Sequence, residues 1–368
     1  MEAKIQELIR TYLEAERQVI SRIANRLKKG KTQDIGEWEQ ARLTEERQLL
    51  NGIEKQIIAH LDNEEDAVIE ELITESYLAG IKDTDKNLDE LQEQGVAYDR
   101  VAPILAVGVG AWLAQQQEDN TIHWTTVMRH KDVLSEKLFS THRRMVSTAS
   151  RVYRDAIRRG ADFVVSGRGT RIQGSQQVLN EFANRGVTGF IDRSGRSWDL
   201  ASYAETAVRS ETMQTRLDAT TNRFMENGQD LVMVSAHGDS CPLCDPWEGS
   251  VLSLSGEDDN YPAVSEAEGD GLFHPNCAHN LTAYVHNLTK TDDPTPGGED
   301  YEARQEQRYN ERQIRKWKRR EEAALTDDEA RKAKHKVGEW QERNRELIKD
   351  KDNLRRKYER EQITDKAR

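Results

Sequence analysis

The sequence is short of apolar residues and rich in charge. Of its 368 residues, 36% are hydrophobic, 6% aromatic and 33% charged, and the mean hydropathy is −0.87. A compact enzyme of this length normally contains more apolar material. The composition therefore favours long, solvated helices around a modest core.

Long hydrophobic runs are also missing. The longest run, from Ile104 to Leu113, is much shorter than the ~20 apolar residues that a membrane span needs. The first residues are amphipathic and contain neither an apolar signal core nor a cleavage-site pattern. We therefore expect a protein made and kept in a reducing cytosol, with no membrane as its partner.

The net charge of −12 is unevenly distributed. Residues 301–368 contain 22 Lys and Arg against 16 Asp and Glu, a local charge of +6, which leaves −18 on residues 1–300. A basic tail behind an acidic body can contact nucleic acid or an acidic partner. Charge of mixed sign on a helix is also typical of a solvated surface.

Only three cysteines are present, and all lie within one stretch of 37 residues. They form Cys241-Pro-Leu-Cys244 and His274-Pro-Asn-Cys277. Two such pairs, each with two intervening residues, present four ligands to a tetrahedral Zn²⁺. We therefore predict that Cys241, Cys244, His274 and Cys277 bind zinc. Because protein ligands would fill all four positions, the site is predicted to be structural rather than catalytic.

Other interpretations of these residues remain open. The cysteines could be small buried hydrophobic residues, and a Cys-x-x-Cys pair could have a redox role. The imidazole ligand is less defined than the three sulfurs. His279 and His237 lie close enough in the sequence to take the place of His274.

The first part of the chain is predicted to be helical. Apolar residues recur every three or four positions through residues 1–80, which is typical of helical hairpins. Residues 82–100 are acidic and are predicted to be an irregular connection, and residues 125–159 a further helix. Together these segments predict a helical N-terminal region, residues 1–160.

A small α+β domain is predicted over residues 161–289. Its expected elements are a hairpin at 187–198, a helix from Leu200 to Asn227 that ends at Gly228, and strands at 231–235, 249–253 and 278–285. The Cys and His pairs would lie at the rim of this domain. The predicted fold is thus α+β, a mostly helical chain with a small zinc-stapled domain.

The last part of the chain is predicted to be a linker followed by a charged helical tail. Residues 290–300 contain Asp-Asp-Pro-Thr-Pro-Gly-Gly, which predicts the linker. Residues 301–368 have few apolar positions. Such helices bury little surface alone, so this tail should pack against something or lie extended.

The segment from Trp198 to Val285 resembles the phage minor capsid protein 2 family, relatives of the Mu F-like head morphogenesis proteins. The matching stretches are Trp198 to Glu205, Arg209 to Thr212, Val234 to Gly249, Tyr261 to Pro262, and Gly271 to His279. The combination of Cys-Pro-Leu-Cys-x-Pro-Trp-x-Gly with Leu-Phe-His-Pro-Asn-Cys is specific. One departure is Ala278, where many relatives would have a basic residue.

The resemblance implies a minor structural component of a tailed-phage head rather than an enzyme. Such a protein would act in capsid assembly, portal association, or DNA packaging and ejection. Its expected partners are the portal protein and the major capsid protein, with packaged DNA a possible contact of the C-terminal helix. It would be made in the host cytoplasm and end in the virion, at the capsid interior or the portal vertex.

Two further functions are alternatives. An ADP-ribosyltransferase-like enzyme or toxin could use Arg209, Ser210 and the Glu266-Ala-Glu268 pair, although any acidic loop contains such a pair by chance. A zinc-knuckle nucleic-acid-binding module is the other. Knuckles that bind nucleic acid interleave basic and aromatic residues with the ligands, whereas the residues between the two ligand pairs here are acidic.

Overall fold

A computed structural model describes residues 1–30, 34–98, 109–118, 121–186, 198–237, 240–290 and 298–363. The chain is mostly helical with one small antiparallel sheet, which confirms the predicted α+β class. The helices are α1 (Glu2–Lys28), α2 (Ile35–Ile53), α3 (Ala59–Glu93), α4 (Val109–Glu118), α5 (Ile122–Val165), α6 (Arg171–Arg185), α7 (Leu200–Glu226), α8 (Val264–Gly269), α9 (Gly298–Glu322) and α10 (Asp327–Asp350). The strands are β1 (Leu231–Val234), β2 (Val251–Ser253) and β3 (Leu281–Ala283).

Helix ends follow local sequence signals. Thr170 accepts a hydrogen bond from the Gln173 N–H, and the Gln173 side chain bonds back to the Thr170 N–H, so a capping box begins α6. Asp34 caps α2 and Thr326 caps α10 in the same way, through a side-chain oxygen. Gly228 has φ of 71° and stops α7 where the sequence predicted, because glycine tolerates the left-handed region.

The chain forms two compact units. Unit 1 contains Met1–Ile5, Ala67–Glu136 and Thr206–Glu302, and unit 2 contains Gln6–Asp66, Lys137–Glu205 and Ala303–Arg368. Each unit is therefore built from three separate segments. The contiguous regions predicted from the sequence, with boundaries at 160, 290 and 301, remain predictions about independently folding parts.

Unit 1 contains the sheet and its helical support. The strand order is β2-β1-β3, and Val232 of β1 is opposite Leu252 on one side and Ala283 on the other. One face of the sheet packs in a buried apolar cluster with Phe224 of α7 and Leu88 of α3. The cluster continues into the loops after β1 and α8, which carry the predicted zinc ligands.

Unit 2 is helical and depends on buried polar contacts as well as apolar packing. Tyr12 of α1 forms a 2.8 Å hydrogen bond with His142 of α5, and both residues are fully buried. The highly charged tail packs into this unit through α9. Ile314 is fully buried there, and Arg319 reaches Glu16 of α1. Of the two expectations for the tail, packing or an extended position, α9 thus follows the first.

Two predicted segments differ from the structure. Residues 82–100 were expected to be irregular, but α3 continues to Glu93 because Leu88 and Leu91 are buried in the cluster of unit 1. Residues from 161 onward were expected to begin mixed structure, but α5 runs to Val165 and α6 follows. Most of the predicted hairpin, residues 187–197, and most of the predicted linker, residues 291–297, lie outside the described residues.

Candidate metal centre

The first ligand pair lies in a tight turn between β1 and β2. The N–H groups of Cys244 and Asp245 both donate to the carbonyl of Cys241, at 3.0 and 2.9 Å. A short 3₁₀ turn, Asp245–Trp247, follows and leads into β2. The turn places both sulfurs on one side, as expected for a Cys-x₂-Cys knuckle.

The second pair lies in the loop between α8 and β3. The Cys277 N–H donates to the His274 carbonyl at 2.9 Å. Phe273 and Asn276 flank this turn in left-handed conformations, with φ of 58° and 69°. Asn accepts that conformation readily, whereas Phe does not. The Phe273 side chain is 4% exposed, and its burial in the apolar cluster offsets the strain.

Tertiary folding brings the two pairs together across 33 residues of sequence. Cys241 Sγ is 2.9 Å from His274 Nε2, and Cys244 Sγ is 3.6 Å from Cys277 Sγ. Two sulfurs bound to one tetrahedral Zn²⁺ are about 3.8 Å apart, given Zn–S bonds of about 2.3 Å. The Cys244–Cys277 pair therefore already has the spacing of two ligands of one metal.

The donors form two overlapping groups that share Cys244. In one, the ligand atoms of Cys241, Cys244 and His274 all lie within 4.8 Å of one another. In the other, those of Cys244, Cys277 and His279 do. Thiolate and imidazole donors are the set that Zn²⁺ prefers, so both groups fit this ion.

His279 is held by a buried carboxylate. Its Nε2 is 2.9 Å from Glu248 Oε1, and its Nδ1 is 3.2 Å from Cys277 Sγ. The same Glu248 oxygen accepts the backbone N–H of His237 at 3.0 Å. The rings of His237 and His279 stack with centroids 4.1 Å apart. His237, Glu248 and His279 thus form a third group adjoining the cysteines.

The hydrogen bonds favour an ionised Cys277. A hydrogen bond from the Cys244 thiol lowers the pKa of Cys277 to about 4, and the contact correspondingly raises the pKa of Cys244. Burial would lower the pKa of His279, but its contacts with Cys277 and Glu248 outweigh burial and raise that pKa. Since the thiolate is the form of cysteine that binds metals, this electrostatic setting suits a metal ligand.

The cluster borders the core rather than an open cleft. Cys244 is 1% exposed and belongs to the apolar cluster, and Cys241, Trp247 and Cys277 pack against it. Trp247 thus packs beside the turn that carries the first ligand pair. Donors that are backed by core residues are typical of a structural site.

The residues of the enzyme alternative have other contacts. Arg209 pairs with Glu2 at 2.6 Å. Glu266 and Glu268 lie at exposed positions of α8, a helix of only six residues. The role of Glu248 beside His279 was missed from the sequence, because one more glutamate in an acidic loop carries no distinguishing signal.

Comparison with known proteins bears on the whole chain. It matches the family described as Phage minor capsid protein 2 over residues 1–349. The chain belongs to this family. The resemblance noted over residues 198–285 is therefore confirmed and extends well beyond that segment. The family is a structural phage family, so the chain is a structural component of the virion.

Two curated relatives carry the name "Structural protein". The chain is similar to that of Lactococcus phage LL-H, with 29% identity over 229 residues, covering 58% of this chain and 62% of the relative. It is also similar to that of Lactococcus phage mv4, with 38% identity over 101 residues, covering 25% of this chain and 81% of the relative. The match thus spans less than two thirds of the LL-H relative.

No solved structure is significantly similar to the chain. Within the described residues, every helix is too short or too polar to cross a membrane.

Proposed function

We propose that this minor capsid protein works in the head of a tailed phage, where it associates with the portal protein and the major capsid protein during assembly or DNA packaging and ejection. It would be made in the host cytoplasm and lie at the capsid interior or the portal vertex. The observation that carries the proposal is the family match over residues 1–349. The charge-rich helices of both units support it, since they suit a part that contacts several partners.

The proposed zinc would add to the apolar packing that stabilises the small sheet of unit 1. The sheet has only three strands of four, three and three residues. Long loops join these strands, and Cys241, Cys244, Cys277 and one histidine, His274 in the prediction from the sequence, would connect two of the loops. Structural zinc contributes on the order of 10 kcal/mol in small modules. The metal would thus hold the two loops together and take no part in a reaction.

The location can be tested in particles that carry the wild-type protein. Purified virions and DNA-free heads are cross-linked, and the linked peptides are identified by mass spectrometry. We expect links to the portal protein and to the inner face of the major capsid protein. Absence of the protein from purified particles, or links only to tail proteins, would contradict the proposal.

The contact with DNA can be tested with the full-length chain. Lys332 and Lys336 are exposed on α10, one turn apart, and Lys82 and Lys86 are exposed on α3 with the same spacing. Changing the first pair to alanine should weaken DNA binding and reduce its dependence on salt. Changing the second pair is the matched control. Equal effects of the two double variants would exclude a specific role of the tail.

A further inference from the structure

We infer that His279, positioned by the buried carboxylate of Glu248, supplies the imidazole ligand of the proposed zinc site in place of His274. The inference rests on that proposed site and names one of its ligands.

The orientation of the His279 ring is that of a metal ligand. A ligating histidine usually donates its second ring N–H to a carboxylate or a carbonyl, which fixes the ring and raises its basicity. Here Nε2 is paired with Glu248 Oε1 at 2.9 Å, so Nδ1 lies on the sulfur side, 3.2 Å from Cys277 Sγ, where the neutral ring would offer its lone pair to the metal. The Glu248 carboxylate would thus act through His279, as a positioning residue.

Burial makes the negative charge of the Glu248 carboxylate costly unless a positive charge lies nearby. The Glu248 side chain is fully buried and that of His279 is 2% exposed. A buried carboxylate is costly unless a positive group or several donors compensate it. A zinc ion bound through His279 would supply that charge, while the His237 N–H holds the same carboxylate oxygen.

The backbone around His279 is tied to the sheet. The Ser235 N–H donates to the Asn280 carbonyl at 2.9 Å, and the Asn280 N–H donates to Ser235 Oγ at 2.9 Å. The His279 N–H also donates to Cys277 Sγ at 3.4 Å. Sites on such rigid supports hold ligands more accurately than free loops do.

His274 has a weaker setting. Its Nδ1 lies 2.8 Å from the carbonyl of the next residue, Pro275, rather than beside a buried carboxylate. The residue is half-buried, and its neighbours Pro275 and Asn276 are exposed. Its Nε2 lies 2.9 Å from Cys241, which is itself half-buried. His274 thus lacks both the burial of His279 and a partner like Glu248.

The test uses the full-length chain loaded with Zn²⁺ and, separately, with Co²⁺. Bound zinc is measured by elemental analysis and its affinity by chelator competition. We expect His279→Ala to weaken zinc binding at least ~100-fold and Glu248→Gln to weaken it ~10–100-fold. His274→Ala should match wild type, as should His286→Ala, an exposed histidine outside the donor groups and the matched control.

Cysteine replacements keep the inference testable if an alanine variant does not fold. His279→Cys should retain metal and add a fourth thiolate, which raises the thiolate-to-cobalt charge-transfer absorption about 1.3-fold. His274→Cys should leave that absorption unchanged. The inference is overturned if the His274 variants change affinity and spectrum as much as the His279 variants, or more. Wild-type protein that binds no zinc would instead refute the proposed zinc site itself.

Discussion

Arg319 lies at the centre of a buried charge cluster in unit 2, and its removal should be costly. Its side chain is 3% exposed and donates to the Ala183 carbonyl at 3.0 Å and to Glu16 at 3.4 Å. Asp199 lies 3.8 Å from it. Replacing Arg319 by alanine would leave the carboxylate of Glu16, which is 1% exposed, without this cation.

The expected loss of stability follows from removing one partner of a buried ion pair. Such changes destabilise by about 3–5 kcal/mol, because a charge stays buried without its counterion. Asp199 retains Arg315 at 3.8 Å, and Glu16 also accepts the Leu200 N–H at 3.3 Å. We therefore expect a loss of about 3 kcal/mol at pH 7, at the lower end of this range.

The same cluster predicts a pH dependence. Burial would raise the pKa of Asp199, but Arg315 and Arg319 outweigh it and lower that pKa from 3.8 to about 2. A carboxylate with a lowered folded-state pKa contributes stability above its unfolded pKa, and this stability is lost as the pH falls through the folded value. The contribution is about 2 kcal/mol, lost between about pH 4 and pH 2. Arg319→Ala should reduce this loss.

Urea denaturation followed by circular dichroism measures the global effect, and hydrogen exchange of α1 and α9 peptides measures the local one. Arg331→Ala is the matched control, since Arg331 is exposed on α10 and pairs with Asp328 one turn away. The control should cost less than ~1 kcal/mol. If Arg319→Ala costs no more than the control, or if its pH profile between 2 and 4 equals that of wild type, the argument from buried charge is wrong.

Three further predictions concern unit 1. Zinc removal by a chelator should lower the melting temperature and speed hydrogen exchange of the sheet strands; unchanged melting of zinc-loaded protein would contradict a stabilising metal. Gly80→Ala should cost about 1–3 kcal/mol in urea denaturation, because the new Cβ would lie 2.5 Å from the Arg216 carbonyl oxygen. Burial lowers the pKa of His130, but hydrogen bonds to Asp218 and Glu211 outweigh it and raise that pKa. The stability that His130 contributes should thus be complete below about pH 6.5 and be lost as the pH rises through its folded-state pKa. Urea midpoints of wild type and His130→Gln, measured across this pH range, test the prediction. The same dependence of the midpoint on pH in both proteins would refute it.

Local signals in the sequence were sufficient for several elements. The end of α7 at Gly228 follows from the freedom of glycine at positive φ, and β1 follows from the β-branched and apolar residues that lead to the knuckle. The spacing of Cys241 and Cys244 predicted a turn with both sulfurs on one side. Each of these features depends on residues within a few positions of one another.

Features that depend on distant residues were not predictable. The end of α3 was misplaced because residues 82–93 are mostly charged, while the burial of Leu88 and Leu91 against the sheet depends on distant residues. In the sequence, Arg319 likewise looks like one more charge on a solvated helix. Its partner Glu16 is 303 residues away along the chain.

The sequence by itself determined that this chain is helix-rich, that it joins its only cysteines to a small antiparallel sheet, and that it belongs among structural phage proteins. These properties reside in composition, short-range spacing and motif. Only the tertiary structure decided which sulfur and nitrogen donors lie close to one another. Contacts across 31 residues of sequence set the buried carboxylate of Glu248 beside His279, because the environment of a ligand depends on packing in three dimensions rather than on its spacing along the chain.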